Sequence, residues 1–144
     1  PDFEKWDVKI LATDLDANVV DHGKQGIYRA ERIEGLSAER TQRWFKRGRG
    51  EQADLVKVKS ELQDMISFKR LNLLHPWPMQ GTFDLMFCRN VVIYFDKDTQ
   101  RVLFERYAKM LIPNAHLFIG HSESLYKVST DFDSLGKTIY RKNH

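Results

Sequence analysis

Polar side chains follow three short apolar runs of the sequence, at the points where strands would end. Asp14 closes the first run, Asn72 comes shortly after the second, and Arg89 and Asn90 follow the third. In an open α/β sheet, ligands bind at the carboxyl ends of the strands. A carboxylate there can accept both hydroxyls of a ribose, and an amide can bind an adenine edge. Taken together, the positions favour a nucleoside-containing cofactor, although each residue alone is explained as well by a helix cap or a turn.

Other kinds of site have less support in the sequence. No G-x-G-x-x-G turn follows a strand, so any phosphate-side cofactor loop is expected to lie before Pro1. The five histidines lack the spacing of metal ligands, and no metal site is predicted. Cys88 lies in the most apolar run and is interpreted as a core thiol. A single cysteine also fits a reducing compartment, and the cytoplasm is the expected location.

Alternating strands and helices must position these residues. The apolar run at 83–88 is nearly continuous, which is typical of a strand buried on both faces. The runs at 55–59 and 65–69 alternate apolar with polar residues and are interpreted as a small antiparallel unit. The predicted strands are 8–14, 55–59, 65–69, 83–89, 115–120 and 136–141, of which the last two are expected to pair antiparallel. The predicted helices are 17–24 with Asp16 as cap and Gly26 as stop, a helix capped by Ser37, and 97–111 capped by Asp96. This order predicts an α/β sheet with an insertion.

The charge is concentrated in one part of the chain. The 144 residues carry a net charge of +3, with 42% apolar and 30% charged residues, as in an ordinary globular domain. Residues 37–70 hold nine basic and five acidic side chains. Such a face can attract an acidic protein surface, although it is also compatible with a plain solvated face. No nucleic-acid motif, secretory signal or membrane-length apolar run is present, so neither nucleic-acid binding nor membrane insertion is expected.

Five stretches of the chain resemble the chemotaxis receptor methyltransferases of the CheR type. They are Ala-Thr-Asp-Leu-Asp at 12–16, Gly-Ile-Tyr at 26–28, Asn-Leu-Leu at 72–74, the whole of 83–96, and Gly-His-Ser-Glu-Ser at 120–124. The resemblance implies a Rossmann-like, class I S-adenosylmethionine-dependent methyltransferase sheet with a small inserted antiparallel β-subdomain. It implies methyl transfer from S-adenosylmethionine to glutamate carboxylates of bacterial chemoreceptors, with S-adenosylhomocysteine as the second product.

The resemblance also assigns roles to individual residues. Asp14 matches the acid that holds the cofactor ribose, and Tyr94 matches a tyrosine near the transferred methyl group, which makes it the predicted catalytic residue. An aromatic residue on the rim of the site is the alternative interpretation of Tyr94. The further cofactor-binding residues implied are Asn72 and Leu73 at the adenine, and Arg89 and Asn90 beside the cofactor.

The resemblance divides the chain into two domains. Residues 1–35 and 71–144 correspond to the methyltransferase domain, expected to lack its first strand and cofactor loop and therefore to be inactive on its own. Residues 36–70 correspond to the inserted helix and β-subdomain, which in some members binds a pentapeptide at the receptor's C-terminus. The matching peptide-binding residues are Arg47, Gly48, Gly50 and Lys57. Tethering members tend to have glycine at Asp54 and arginine at Lys57, and lysine lacks the bidentate fork for a carboxylate.

Two other functions remain open from the sequence. A methyltransferase with a different substrate would share the same sheet, although the basic insert favours a receptor. A non-catalytic scaffold could bind a receptor peptide or a nucleotide without turnover.

Overall fold

The computed structural model describes residues 5–143, which fall into two compact units that meet in sequence between His75 and Pro76. Each unit combines strands with helices, as the sequence predicts. The helices are α1 (Ala17–Gln25), α2 (Ala38–Trp44), α3 (Ser60–Gln63) and α4 (Lys97–Met110). The strands are β1 (Ile10–Asp14), β2 (Ile27–Arg29), β3 (Phe45–Arg47), β4 (Leu55–Val58), β5 (Ile66–Arg70), β6 (Phe83–Cys88), β7 (Leu111–Ile119), β8 (Phe132–Gly136) and β9 (Ile139–Lys142).

In the first unit, β1 and β5 form a parallel pair with α1 between β1 and β2 in the chain. The pairing runs in register to the last residues of both strands, where Asp14 lies opposite Arg70. The Asp16 side chain accepts the N–H of Asn18 and so caps α1. The helix ends at Gly26, whose φ of +63° is a conformation that glycine adopts without strain. The predicted strand, cap and stop are confirmed.

The first unit also contains a separate antiparallel sheet of order β2-β4-β3. The predicted pairing of 55–59 with 65–69 is wrong, because β4 pairs with β2 and β3 whereas β5 pairs with β1. Alternation identifies a strand, but it does not say which strand lies beside it. The two partners of β4 have three residues each and are too short to show the pattern. The predicted domain boundaries at 35 and 70 stay a prediction.

The second unit is a four-stranded sheet of order β6-β7-β9-β8 with α4. The pair β6–β7 is parallel, and β7–β9 is antiparallel as predicted, whereas β8 is a strand that the sequence pattern did not indicate. Fully buried side chains of α4 and β7 form the core, among them Leu103, Phe104 and Leu117. The predicted burial of 83–88 on both faces is wrong. Leu85 and Phe87 are 47% and 64% exposed, because an apolar run shows a preference for burial but not what covers it.

No helix within residues 5–143 has the length and apolar character needed to cross a membrane.

Candidate functional site

The ends of β1 and β5 bring Asp14 and Asn72 to one edge of the parallel pair. The backbone N–H of Leu71 donates to the carbonyl oxygen of Asp14 at 2.9 Å, immediately before Asn72. Arg70 Nε donates to the carbonyl oxygen of Leu15 at 2.9 Å, which ties the two chain segments together just past the strands. The predicted meeting of these two strand ends is therefore present within the first unit.

Asp14 has the chemistry that a ribose diol needs. Its side chain is exposed, and Oδ1 accepts the backbone N–H of Asp16 at 2.9 Å, which fixes the orientation of the carboxylate. An ionised carboxylate has about four lone-pair sites, so one hydrogen bond leaves room for two hydroxyl donors. The residues present at this edge thus fit a nucleoside cofactor.

Asn72 shapes the turn that follows β5. Its Oδ1 accepts the N–H of Leu74 at 2.9 Å, and its Nδ2 lies 3.5 Å from Nε2 of His75. The backbone N–H of His75 also donates to the Asn72 carbonyl oxygen. The side-chain oxygen of Asn72 is therefore used within the turn, in which Leu73 is half-buried.

The second unit places Arg89, Asn90 and Tyr94 directly after β6. Asn90 has a φ of +60°, a left-handed conformation that asparagine tolerates better than most residues. Arg89 Nη2 lies 3.4 Å from Nδ1 of His121, which follows the end of β7. Tyr94 ends the 3₁₀ turn Val92–Tyr94 and is 78% exposed, so its ring and hydroxyl are available to a ligand.

The buried carboxylate of Glu123 binds the backbone that follows β6. Glu123 is only 7% exposed, and its Oε1 accepts the backbone N–H groups of residues 91–93 at 2.9–3.4 Å. Its Oε2 accepts the N–H groups of Asn90, at 3.1 Å, and of Gly120. One carboxylate thereby satisfies five backbone donors. Hydrogen bonds that a carboxylate accepts are shorter and stronger than those between two neutral groups, so the five together fix the segment.

A buried amide holds the same segment from the side of α4. Gln100 is 8% exposed, and its Nε2 donates to the carbonyl oxygens of Val92 at 2.8 Å and Phe95 at 3.0 Å. Its Oε1 accepts from Lys97 Nζ at 3.1 Å. Among residues 5–143, Gln100 and Glu123 are the buried side chains that carry an amide or a carboxylate. Both bind the backbone of residues 90–95, which we call the clamped loop.

Gly120, the residue after β7, has to be a glycine for the clamped loop to lie so close to it. A Cβ on Gly120 would lie 2.9 Å from the Asn90 nitrogen and 2.8 Å from Glu123 Oε2. Both distances are shorter than real Cβ contacts allow. Glycine is thus required by the closeness of two strand ends rather than by its own backbone conformation.

The sequence reasoning missed the roles of Glu123 and Gln100. In the sequence, Glu123 stands out only as part of the stretch 120–124 that resembles the CheR-type family, and Gln100 does not stand out. Glu123 also lies four residues before Lys127, a spacing typical of an exposed ion pair, so the sequence gives no signal for its burial.

Cys88 is a core thiol, as predicted. It is buried at the end of β6, where Sγ lies 3.0 Å from the hydroxyl oxygen of Tyr107. Burial raises the pKa of the Cys88 thiol, and burial likewise raises the pKa of the Tyr107 phenol. Both groups therefore stay protonated near neutral pH, and neither is a nucleophile. Within residues 5–143, no His, Cys, Asp and Glu side chains group in threes as a metal ion would need.

The predicted peptide-binding residues lie on and beside the β3–β4 hairpin. Gly48 donates its N–H to Leu55 O at 2.9 Å, and a Cβ there would lie 1.9 Å from Gln52 O. Gly50 has a φ of +58°. In the register, Arg47 lies opposite Val56, and Lys57 lies opposite Lys46 and Ile27. Because side chains alternate between faces, Arg47 and Lys57 lie on opposite faces of this sheet, and the structure does not bring them together.

Comparison with known proteins identifies the family. The family model described as CheR methyltransferase, SAM binding domain, matches residues 1–141. The chain belongs to this family. It is 43% identical over 134 residues to chemotaxis protein methyltransferase 2 of Pseudomonas aeruginosa, covering 92% of this chain and 48% of the relative. It is 41% identical over 137 residues to the chemotaxis protein methyltransferase of Escherichia coli, covering 94% of this chain and 47% of the relative.

The CheR family assignment agrees with the fold. The N-methyltransferase NodS from Bradyrhizobium japonicum WM9 aligns with a TM-score of 0.53 at 16% identity, over 94% of this chain and 74% of its own. This likeness concerns the fold alone. Together with the family match, it confirms the predicted Rossmann-like class I methyltransferase architecture. S-adenosylmethionine is the cofactor of the CheR SAM-binding domain, which confirms the predicted cofactor class. The chain spans about half the length of the curated relatives it matches.

Proposed function

We propose that this chain provides the cofactor-binding part of a protein-glutamate O-methyltransferase, which transfers a methyl group from S-adenosylmethionine to glutamate side chains of bacterial chemoreceptors. The observation that carries the proposal is the 41–43% identity to chemotaxis protein methyltransferases over more than nine-tenths of the chain. The exposed carboxylate of Asp14 supports it, because that group suits a ribose. The cytoplasm is the proposed location, where the receptor's signalling region would be accessible.

The reaction needs no general base from the chain. S-adenosylmethionine, when bound, would supply a methyl group attached to a positively charged sulfur. After the transfer that sulfur would be the neutral thioether of S-adenosylhomocysteine. A receptor glutamate is already ionised at neutral pH, since its reference pKa is about 4.3. One of its oxygens forms the new C–O bond while the electron pair of the C–S bond goes to sulfur. The two opposite charges cancel and no proton moves, so the chain's task is alignment and exclusion of water, worth up to about 7–11 kcal/mol in favourable cases.

The two strand-end groups have separate proposed roles. Asp14 accepts hydrogen bonds from the ribose hydroxyls, while the turn at Asn72 and Leu73 forms the adenine pocket. Arg89 and Asn90 lie beside the cofactor, and Tyr94 aligns the methyl group or the incoming carboxylate. The exposure of Tyr94 and the hydrogen bond from its backbone N–H to the Val91 carbonyl oxygen support that last role.

The proposal is tested by methylation of purified chemoreceptor with S-adenosylmethionine carrying a labelled methyl group. The full-length protein is expected to transfer label to the receptor as base-labile methyl ester. Labelling of another substrate but not of the receptor would favour a methyltransferase of different specificity. Binding of S-adenosylhomocysteine without any transfer would favour the non-catalytic scaffold.

The role of Tyr94 is tested with Tyr94→Phe, which removes only the hydroxyl. We expect kcat to fall roughly tenfold or more because alignment is lost, with little change in the KM for S-adenosylmethionine. Tyr126 is 76% exposed in the same unit and provides the matched control Tyr126→Phe, which is expected to behave as wild type. Unchanged turnover in Tyr94→Phe would leave the residue as a rim aromatic.

We further propose that α2, β3 and β4 belong to the inserted β-subdomain of residues 36–70, and that this subdomain contacts the receptor, including its C-terminal pentapeptide. The basic composition of residues 37–70 supports this, and the exposed Lys57 beside Lys46 supplies two positive charges on one sheet face. Lys57→Ala is expected to weaken binding of a receptor pentapeptide with a free C-terminal carboxylate. Lys109→Ala, an exposed lysine on α4, is the control. Equal binding of a C-terminally amidated peptide would contradict recognition of the carboxylate.

A further inference from the structure

The clamped loop presents both a proposed cofactor-binding residue and the proposed catalytic residue. Asn90 and Tyr94 are exposed, yet the backbone between them is bonded to buried groups at almost every position. An exposed loop with so many buried anchors is unusual, because loops of this kind ordinarily hydrogen-bond to water. The anchors are therefore best explained by a need to fix where the two side chains stand.

The arrangement requires an acceptor with two equivalent oxygens. All five groups that face Glu123 are N–H donors, and they divide between its two oxygens. Glutamine at this position would turn an NH₂ donor toward at least two N–H donors, whichever way its amide is oriented. Aspartate is one methylene shorter and would not reach both groups of donors. The chemistry of the site thus favours glutamate over glutamine and aspartate.

Gln100 completes the arrangement with the opposite polarity. It donates to carbonyl oxygens of the clamped loop, whereas Glu123 accepts from its N–H groups. Val92 is bound by both side chains, at its N–H by Glu123 and at its carbonyl oxygen by Gln100, at 2.9 and 2.8 Å. Because these two bonds hold the peptide units on either side of its Cα, Val92 is restricted in both position and rotation.

We propose that Glu123 is a positioning residue whose carboxylate, together with the amide of Gln100, fixes the clamped loop so that Asn90 meets the cofactor and Tyr94 meets the reacting groups. This inference rests on the proposed function. Neither side chain touches a ligand, and both act through the backbone of residues 90–95. A misplacement of about 1 Å at a reacting centre can lower turnover on the order of 100-fold, which is the scale of effect that this positioning would prevent.

The test uses the full-length protein and the variants Glu123→Gln and Gln100→Met. Affinity for S-adenosylhomocysteine is measured by calorimetry, kcat and KM by receptor methylation, and amide exchange at residues 90–93 by mass spectrometry. At temperatures where each variant retains the native circular dichroism, we expect kcat to fall roughly 10–100-fold. We also expect weaker S-adenosylhomocysteine binding and faster exchange of the loop amides. Gln100→Met keeps the side-chain length without removing a charge, and it decides the matter if Glu123→Gln does not fold.

A destabilised control separates positioning from stability. Leu117→Ala removes a fully buried side chain of β7 that makes no hydrogen bond to the clamped loop. At a temperature where the control is as folded as the two variants, its affinity and kcat are expected to match wild type. The inference is overturned if Glu123→Gln and Gln100→Met bind and turn over as wild type, or if Leu117→Ala loses activity equally. A wild-type protein that binds no S-adenosylhomocysteine and transfers no methyl group would overturn the proposed function, and this inference with it.

Discussion

The two strand-end regions carry polar residues at similar places in the fold, but they hold them in different ways. At the edge of β1 and β5, Asp14 and Asn72 are fixed by hydrogen bonds to residues two or three positions away. At the edge of β6, the clamped loop is fixed by Glu123, which lies 30–33 residues further along the chain. In the first region local turns orient the two side chains, whereas in the second region buried tertiary contacts hold the backbone.

This difference separates stability from function. Asp14 is exposed, so replacing it leaves no buried donor without a partner. Replacing Glu123 leaves buried or half-buried N–H groups unsatisfied, and an unsatisfied buried polar group costs about 1–3 kcal/mol. We therefore expect substitutions in the first region to change ligand affinity with little effect on folding, and substitutions in the second region to change both.

The largest effect is expected for Glu123→Ala. The loss of five hydrogen bonds to a charged acceptor should lower the free energy of unfolding by about 3–5 kcal/mol. Urea denaturation followed by circular dichroism measures this change. Glu105 is an exposed glutamate on α4, and Glu105→Ala should stay within about 0.5 kcal/mol of wild type. If the two variants were equally stable, the buried carboxylate would not anchor the loop and the contrast between the regions would fail.

The next effect concerns the first region and is one of affinity. Asp14→Asn removes the charged acceptor proposed for the ribose hydroxyls. Hydrogen bonds to a charged group contribute about 1.5–3 kcal/mol, so S-adenosylhomocysteine should bind roughly 10–150-fold more weakly. Calorimetry measures this change, and the free energy of unfolding should move by less than about 0.5 kcal/mol.

Asp21→Asn is the matched control for that change, because Asp21 is an exposed acid on α1 paired only with Lys24 at 3.0 Å among the described residues. Equal affinities of the Asp14 and Asp21 variants would remove the ribose role from Asp14.

A third test adds a single methyl group where the two strand ends of the second unit meet. Gly120→Ala forces the Asn90 nitrogen and the Glu123 carboxylate to shift, and it should lower the free energy of unfolding by about 1–3 kcal/mol. Gly35 has nothing within 4 Å of an added Cβ, so Gly35→Ala should be neutral or slightly stabilising, by up to about 1 kcal/mol. The comparison would weaken if alanine were tolerated equally at both positions.

The smallest effect is a dependence on alkaline pH in the second unit. Burial raises the pKa of Cys88 in the folded state, so the unfolded chain loses the thiol proton first. The associated stability is fully present below pH about 8.5 and declines as the pH rises toward the raised folded value, by at most about 1.4 kcal/mol per pH unit. Urea denaturation at pH 7 to 10 measures the slope. In Cys88→Ala the decline between pH 8.5 and 10 should be shallower, and an unchanged slope would assign it to other groups.

The sequence was a good guide to the features that depend on near neighbours. The helix caps at Asp16 and Asp96 were predicted, because capping needs only a side-chain oxygen and an N–H two or three residues ahead. The end of α1 at Gly26 was predicted because glycine adopts the left-handed conformation without strain. The sequence was a poor guide to strand partners, as the pairing of β4 and β5 shows. The same alternation suits many partners, and short strands such as β2 have too few residues to show a pattern.

The candidate site divides in the same way. Residue types and their order were sufficient to indicate Asp14, Asn72, Leu73, Arg89 and Asn90 as strand-end residues of an α/β sheet. The resemblance to CheR-type methyltransferases added Tyr94, and the ligand roles of all these residues remain predictions. Arg47 and Lys57 lie on opposite faces of their sheet because of the β3–β4 register, which the sequence pattern did not predict. Only the tertiary structure gave Glu123 and Gln100 their part, because their hydrogen-bond partners are chosen by which strand ends and helix turns come together. The sequence thus determined which polar side chains follow the strands and are proposed to meet a ligand, while the fold decided which buried groups hold the backbone of the clamped loop in place.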